Sequence, residues 1–165
     1  MALSKVDGTN FIAPTIPVAS GGTGATTFSP GKILQAITAT DATQRSTTST
    51  TFVTGSNTLT VNITPASTSN KVFLIASFSG RAGGDYVTAF TIYRDAGNLG
   101  GTEGMATLNS GGTDHRTSVC MSYLDSPSST SALTYQVYFL TSSGTGYITA
   151  GGNQISSITA MEVSA

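Results

Sequence analysis

His115 is the single histidine of this sequence and Cys120 its single cysteine. A zinc site takes three or four His, Cys or carboxylate ligands, with His and Cys predominating, so these two residues cannot complete a His-based cluster. A Ser-His-Asp triad would need an aspartate on the far side of the His115 ring. The nearest candidate, Asp114, adjoins it in sequence, and adjacent residues of a strand face opposite ways. The chain has no Gly-x-Ser-x-Gly elbow to expose a nucleophile. Glycoside hydrolysis would need two carboxylates roughly 5–10 Å apart. Asp41, Asp85, Asp95, Glu103, Asp114, Asp125 and Glu162 are sparse, fall mostly at predicted loops, and no pair stands out. Gly21-Gly22-Thr23-Gly24 lacks the Lys-Ser/Thr ending of a phosphate-binding loop and reads as a turn. The inventory therefore points away from an enzyme, with no cofactor and no metal expected.

Recognition is the chemistry that remains. The Gly-rich stretch Asn98 to Gly112 is longer than a hairpin turn, and long loops in small domains tend to carry function. Asn98, Glu103 and Asn109 within it, with Asp95 and Asp114 flanking it, are candidate recognition residues, with side chains suited to hydrogen-bonding a polar glycan or binding a calcium ion. Their spacing fits no EF-hand. Tyr86, Tyr93, Tyr123 and Tyr147 offer rings for sugar stacking, beside the packing role that tyrosine commonly fills.

These residues must be held by strands. Residues 58–64 alternate, with Leu59, Val61 and Ile63 on one face and Thr58, Thr60, Asn62 and Thr64 on the other, and Pro65 ends the run. Residues 71–78 are apolar on both faces, as befits a central strand or one covered by a second subunit. Further strands are predicted over 33–40, near 51–53, and over 86–94, 116–124, 133–140, 145–150 and 155–163. Cys120, inside one of them, reads as a small buried hydrophobe. Arg81-Ala82-Gly83-Gly84, Ser110 to Thr113, Ser126 to Ser129 and Gly151-Gly152-Asn153 separate the strands. Gly31 to Thr43 is the best helical stretch, and its threonines argue against it. Roughly eight or nine short strands predict an all-β fold, an antiparallel β-sandwich that is jelly-roll-like.

Composition narrows the partners. Only 9% of residues are charged and the net charge is −1, against roughly 25% charged in ordinary soluble proteins. No basic field is present for nucleic acid, and no apolar run long enough for membrane insertion. So neutral a surface suits a chain built into an assembly. Met1 to Asn10 lacks the basic start and apolar centre of a secretion signal, so synthesis without a secretion label is expected. Residues 1–30 hold Pro14, Pro17 and Pro30, four glycines (Gly21, Gly22 and Gly24 among them) and scattered apolar residues. They read as an extended N-terminal attachment arm, with Phe11, Ile12, Ile16 and Val18 as its anchors, and residues 31–165 as the sandwich.

Pro17-Val18-Ala19-Ser20-Gly21-Gly22-Thr23-Gly24-Ala25-Thr26-Thr27 resembles a segment that recurs in bacteriophage tail-fibre and related virion proteins. Gly31 to Gln35, Val61 to Val72, Tyr93-Arg94-Asp95 and Ile155 to Val163 are similar to a module of such phage proteins, so the resemblance covers nearly the whole chain. It implies a trimeric, β-rich adhesin or fibre tip with an N-terminal attachment segment, located in the virion. It carries over no catalytic or metal residue. The expected partners are two further copies in a homotrimer, other virion proteins of tail, baseplate or capsid, and a host surface glycan. The chain is short for a tail fibre and has no shaft. A capsid decoration or cement protein, or a head fibre, is therefore the alternative.

Overall fold

Alternation fixes which side chains face inward. Leu59, Val61 and Ile63 are buried, and so are Val72, Leu74, Ala76 and Phe78. Leu133, Tyr135, Val137 and Phe139 repeat the pattern, as do Ile158 and Ala160. Each such face must meet another, and two sheets packed face to face are the result. The computed structural model describes residues 32–151 and 154–165. The arm candidates Phe11, Ile12, Ile16 and Val18, and the Gly-Gly-Thr-Gly-Ala-Thr-Thr segment, lie outside the described residues.

The strands are β1 (Ile33–Asp41), β2 (Arg45–Thr47), β3 (Thr60–Ile63), β4 (Lys71–Ala82), β5 (Val87–Arg94) and β6 (Gly97–Asn98). They continue with β7 (Ala106–Asn109), β8 (His115–Asp125), β9 (Leu133–Thr141), β10 (Gly146–Ile148) and β11 (Ser156–Val163). One sheet runs β1-β11-β4-β10-β2 with β8 on the other side of β4. The second runs β3-β9-β5-β6 with β7 also on β5. All pairings are antiparallel.

Three of these strands are the second halves of interrupted ones. β10 and β11 follow one another along the same side of β4, β1 and β2 lie along β11 and β10, and β6 and β7 both line β5. Joining the halves reduces eleven strands to eight. In chain order these eight pair first with last, second with seventh, third with sixth and fourth with fifth. That is a long hairpin rolled up on itself, the jelly roll anticipated from sequence. Each interruption has a local cause. At the first, the Asp41 carboxylate accepts Thr43 N–H at 2.8 Å and Thr58 N–H at 3.0 Å, turning the chain. At the last, Ser79 and Ala150 exchange hydrogen bonds: Ser79 Oγ donates to Ala150 O at 2.7 Å and Ala150 N to Ser79 O at 3.0 Å.

Several sequence expectations are corrected. Residues 51–53 form no regular strand. Only Val53 bridges to Phe139, as the irregular run-up of β3 along β9. β4 runs through Arg81 and Ala82, so the predicted separator at 81–84 begins only at Gly83. Cys120 is exposed. Val119 and Met121 take the inward positions of β8, so strand parity turns Cys120 out. The core is otherwise contiguous. Phe78 of one sheet lies 5.0 Å from Phe90 of the other, and Phe90 stacks 6.2 Å from Phe139, centroid to centroid. A side chain of this size contributes about 1.5–3 kcal/mol when fully buried. Sheet separation there depends on Gly80, because a Cβ at that position would sit 2.8 Å from both Phe90 Cζ and Leu108 Cδ1.

Candidate functional site

Three turns meet at one end of the sandwich: 83–86 between β4 and β5, 110–114 between β7 and β8, and 142–145 between β9 and β10. β1 begins at the other end, where Ile33 pairs with Val163. The turns are stitched together at this tip. Ser142 N donates to Val87 O at 2.8 Å and Val87 N to Ser142 Oγ at 3.0 Å. Tyr86 Oη accepts Thr145 N–H at 3.1 Å. Its ring lies where side chains on Gly84 and Gly144 would be, and both glycines have φ in the left-handed region, at 104° and 57°. Glycine meets both demands there, conformation and clearance.

Arg81 is the centre of the tip. Even-numbered residues of β4 point into the core, so Arg81 stands on the outer face. Its Nε donates to Asp114 Oδ1 at 2.6 Å, and its guanidinium carbon lies 4.6 Å from the centroid of the Tyr147 ring. The hydrogen bond from Arg81 holds the Asp114 carboxyl below the ordinary aspartate range, and the same bond raises Arg81. Arg116 is the direct cross-strand partner of Arg81. Two cations opposite one another on a sheet repel, so their juxtaposition needs counter-charge. Asp114, which is more than half exposed at its side chain, supplies it to both.

The sequence candidates separate into two groups. Asp114 belongs to the tip, and Asn109 folds the turn that presents it by accepting Gly111 N–H at 3.1 Å. Asn98 and Glu103 do not reach the tip. The stretch expected to be one long loop is an edge strand broken by a bulge, because β6 and β7 both find partners on β5. Asn98 shapes the bulge from inside: its Oδ1 accepts Thr91 Oγ1–H at 2.6 Å and Gly100 N–H at 2.9 Å, and its Nδ2 donates to Gly101 O at 2.6 Å. Glu103 is exposed on that bulge. Among the tyrosines, Tyr86 and Tyr147 sit at the tip. Tyr93 stacks on Tyr138 at 4.0 Å on the outer face of the second sheet, and Tyr123 is exposed on β8.

Arg81 and Arg116 were not singled out from sequence. Parity alone puts each on an outer face, but only the register of β4 against β8 brings them opposite one another. Among the described residues no three His, Cys, Asp or Glu side chains gather as a metal set. What the tip gathers is the guanidinium groups of Arg81 and Arg116, the carboxylates of Asp85 and Asp114, and the rings of Tyr86 and Tyr147. Neither the protein-family models nor the curated proteins give a match to this chain.

Proposed function

We propose that this chain is a phage virion structural protein of the tail-fibre or receptor-binding kind. In this reading residues 1–30 attach it to the particle, and a homotrimer of jelly rolls faces the host surface. The observation that carries the reading is the polarity of the sandwich. β1 starts at one end, and the cluster of Arg81, Asp114, Tyr86 and Tyr147 occupies the other. A chain tethered through its N-terminus would so present its polar turns outward, where loops on a rigid scaffold do their binding. The Gly-Gly-Thr-Gly-Ala-Thr-Thr segment and the low charge support the same reading.

The homotrimer draws support from the outer face of the first sheet. Phe73 lies between Leu124 and Met161 in register, and Leu124 is 49% exposed. Such a row is expensive to leave in water on a chain with so few charges. Antibodies raised against the sandwich and applied to intact particles of the encoding virus test the assignment by electron microscopy. Label at the tail tip or fibre ends is expected. Label spread over the capsid lattice would favour a decoration protein or head fibre instead, and unlabelled particles would overturn the virion assignment.

A further inference from the structure

We propose that the tip binds an acidic saccharide, with Arg81 and Arg116 taking the sugar carboxylate and Asp114 accepting from the sugar hydroxyls. The inference deepens the host-attachment reading above and rests on it. Two of the described arginines are committed to buried carboxylates. Arg94 is paired with buried Asp125, and Arg45 with buried Asp41. Arg81 and Arg116 instead stand side by side on the outer face, at the end where three turns meet. Asp114 is ion-paired with Arg81, the tip's other carboxylate, Asp85, is exposed in the 83–86 turn, and Arg116 forms no ion pair among the described residues.

Glycines stand beside them. Gly83 has no left-handed backbone to justify a glycine. A Cβ there would lie 3.3 Å from Tyr86 Oη, 3.6 Å from Asp114 Oδ1 and 4.0 Å from Arg81 Nη2. With no side chain at Gly83, a hydroxyl, a carboxylate and a guanidinium converge there unobstructed by one. Gly151, whose φ of 131° itself favours glycine, lies against Arg116: a Cβ there would be 3.2 Å from Arg116 Nη1 and 3.4 Å from Gln154 Oε1. Guanidinium groups pair with carboxylates in two-pronged fashion. A bare anion such as phosphate would also meet Asp114 and be repelled. A ligand that carries a carboxylate together with hydroxyl donors satisfies all three charged groups at once. Uronic and sialic acids have that composition. Three copies in one trimer would raise a weak single-site affinity by avidity.

The test uses the full-length protein and calorimetric titration with oligogalacturonate, hyaluronan oligosaccharide and N-acetylneuraminic acid. The uncharged methyl ester of whichever binds serves as its shape control. At least one acid is expected to bind, with its ester at least about tenfold weaker, a loss of about 1.4 kcal/mol. Arg116→Gln, an exposed change that leaves the core untouched, should weaken binding by about fivefold or more, and added salt should do likewise. Binding of none of the acids, equal binding of acid and ester, an undiminished Arg116→Gln, or an equal response to inorganic phosphate would each overturn the proposal. Fluorescently labelled protein on host cells separates the two levels. Staining that persists in Arg116→Gln leaves host attachment standing while this site fails, whereas absent staining by the wild type removes the attachment reading itself.

Discussion

Arg94 of β5 and Asp125 of β8 tie the two sheets together. Arg94 Nη1 donates to both carboxylate oxygens, at 2.9 and 2.8 Å, across the end of the core where β1 begins. Tyr135 of β9 completes the arrangement, its Oη donating to Asp125 Oδ2 at 2.6 Å. Burial and the neighbouring Asp125 carboxylate push the Tyr135 phenol far above its ordinary range, so it remains a donor throughout the accessible pH range.

Asp125→Ala should therefore be among the costliest single changes. It leaves the Tyr135 hydroxyl buried without a partner and the Arg94 charge without its counter-ion, for a loss of about 3 kcal/mol. Tyr135→Phe removes one donor and should cost about 1 kcal/mol. Urea unfolding midpoints of the two variants check both values. A neutral Asp125→Ala would show that the sheets are held by apolar packing alone.

Glu162 predicts an acid-sensitive fold. The side chain is buried at 1% exposure, and accepts from Asn70 Nδ2 at 2.6 Å, Gln35 Nε2 at 2.6 Å and Ala66 N at 2.7 Å. Burial alone would raise this carboxyl, but the hydrogen bonds from Asn70, Gln35 and Ala66 outweigh it and hold the group below its ordinary value of 4.5. The unfolded chain then binds the proton more readily than the folded one. Stability from Glu162 is complete above about pH 5 and drains away as pH falls through the lowered folded value. Glu162→Gln should be destabilised at pH 7 and show a shallower loss between pH 5 and 3. Unfolding curves across that range, wild type against variant, decide it. Asp41, lowered by Thr58 and Thr43 N–H groups and by Arg45 against an opposing burial effect, adds a slope of the same sign.

Asn98 and Glu103 should behave oppositely despite their shared bulge. Asn98→Ala breaks three hydrogen bonds that shape the chain between β6 and β7, at a cost of about 1–2 kcal/mol. Glu103→Ala should fall within about 0.5 kcal/mol of wild type, as exposed substitutions do. Neither should change host-cell staining. Thermal melts and staining, run on the same preparations, check both halves.

The proposed trimer is checked by sedimentation of the purified protein, where a trimer mass is expected at micromolar concentration. Leu124→Glu should shift it toward monomer without a large change in the unfolding midpoint, because Leu124 faces away from the core. Wild-type protein that sediments as a monomer would remove the trimer from the proposed function.

Local pattern was enough to determine the class of this fold. Period-two alternation at Leu59-Val61-Ile63 and Leu133-Tyr135-Val137-Phe139 announces half-buried strands without reference to any partner, because side-chain direction is a property of the strand itself. Pro65 and the Gly-rich separators likewise act on their own stretch of backbone. Even the correction at Cys120 was within reach of the sequence, since Val119 and Met121 claim the inward positions beside it.

Pairing across the fold is what only tertiary structure decided. Nothing in Gly97-Asn98 or Ala106–Asn109 announces a strand. Their extended form comes from open hydrogen-bonding positions on β5, which lie elsewhere in the chain. Arg81 and Arg116 are far apart in sequence, and they meet because β4 and β8 align in a particular register. Register is a nonlocal quantity: it depends on which core faces match and on how each turn closes. So the sequence could name Asp114 as a polar candidate, while its arginine and the neighbouring ring became visible only once the strands were laid side by side.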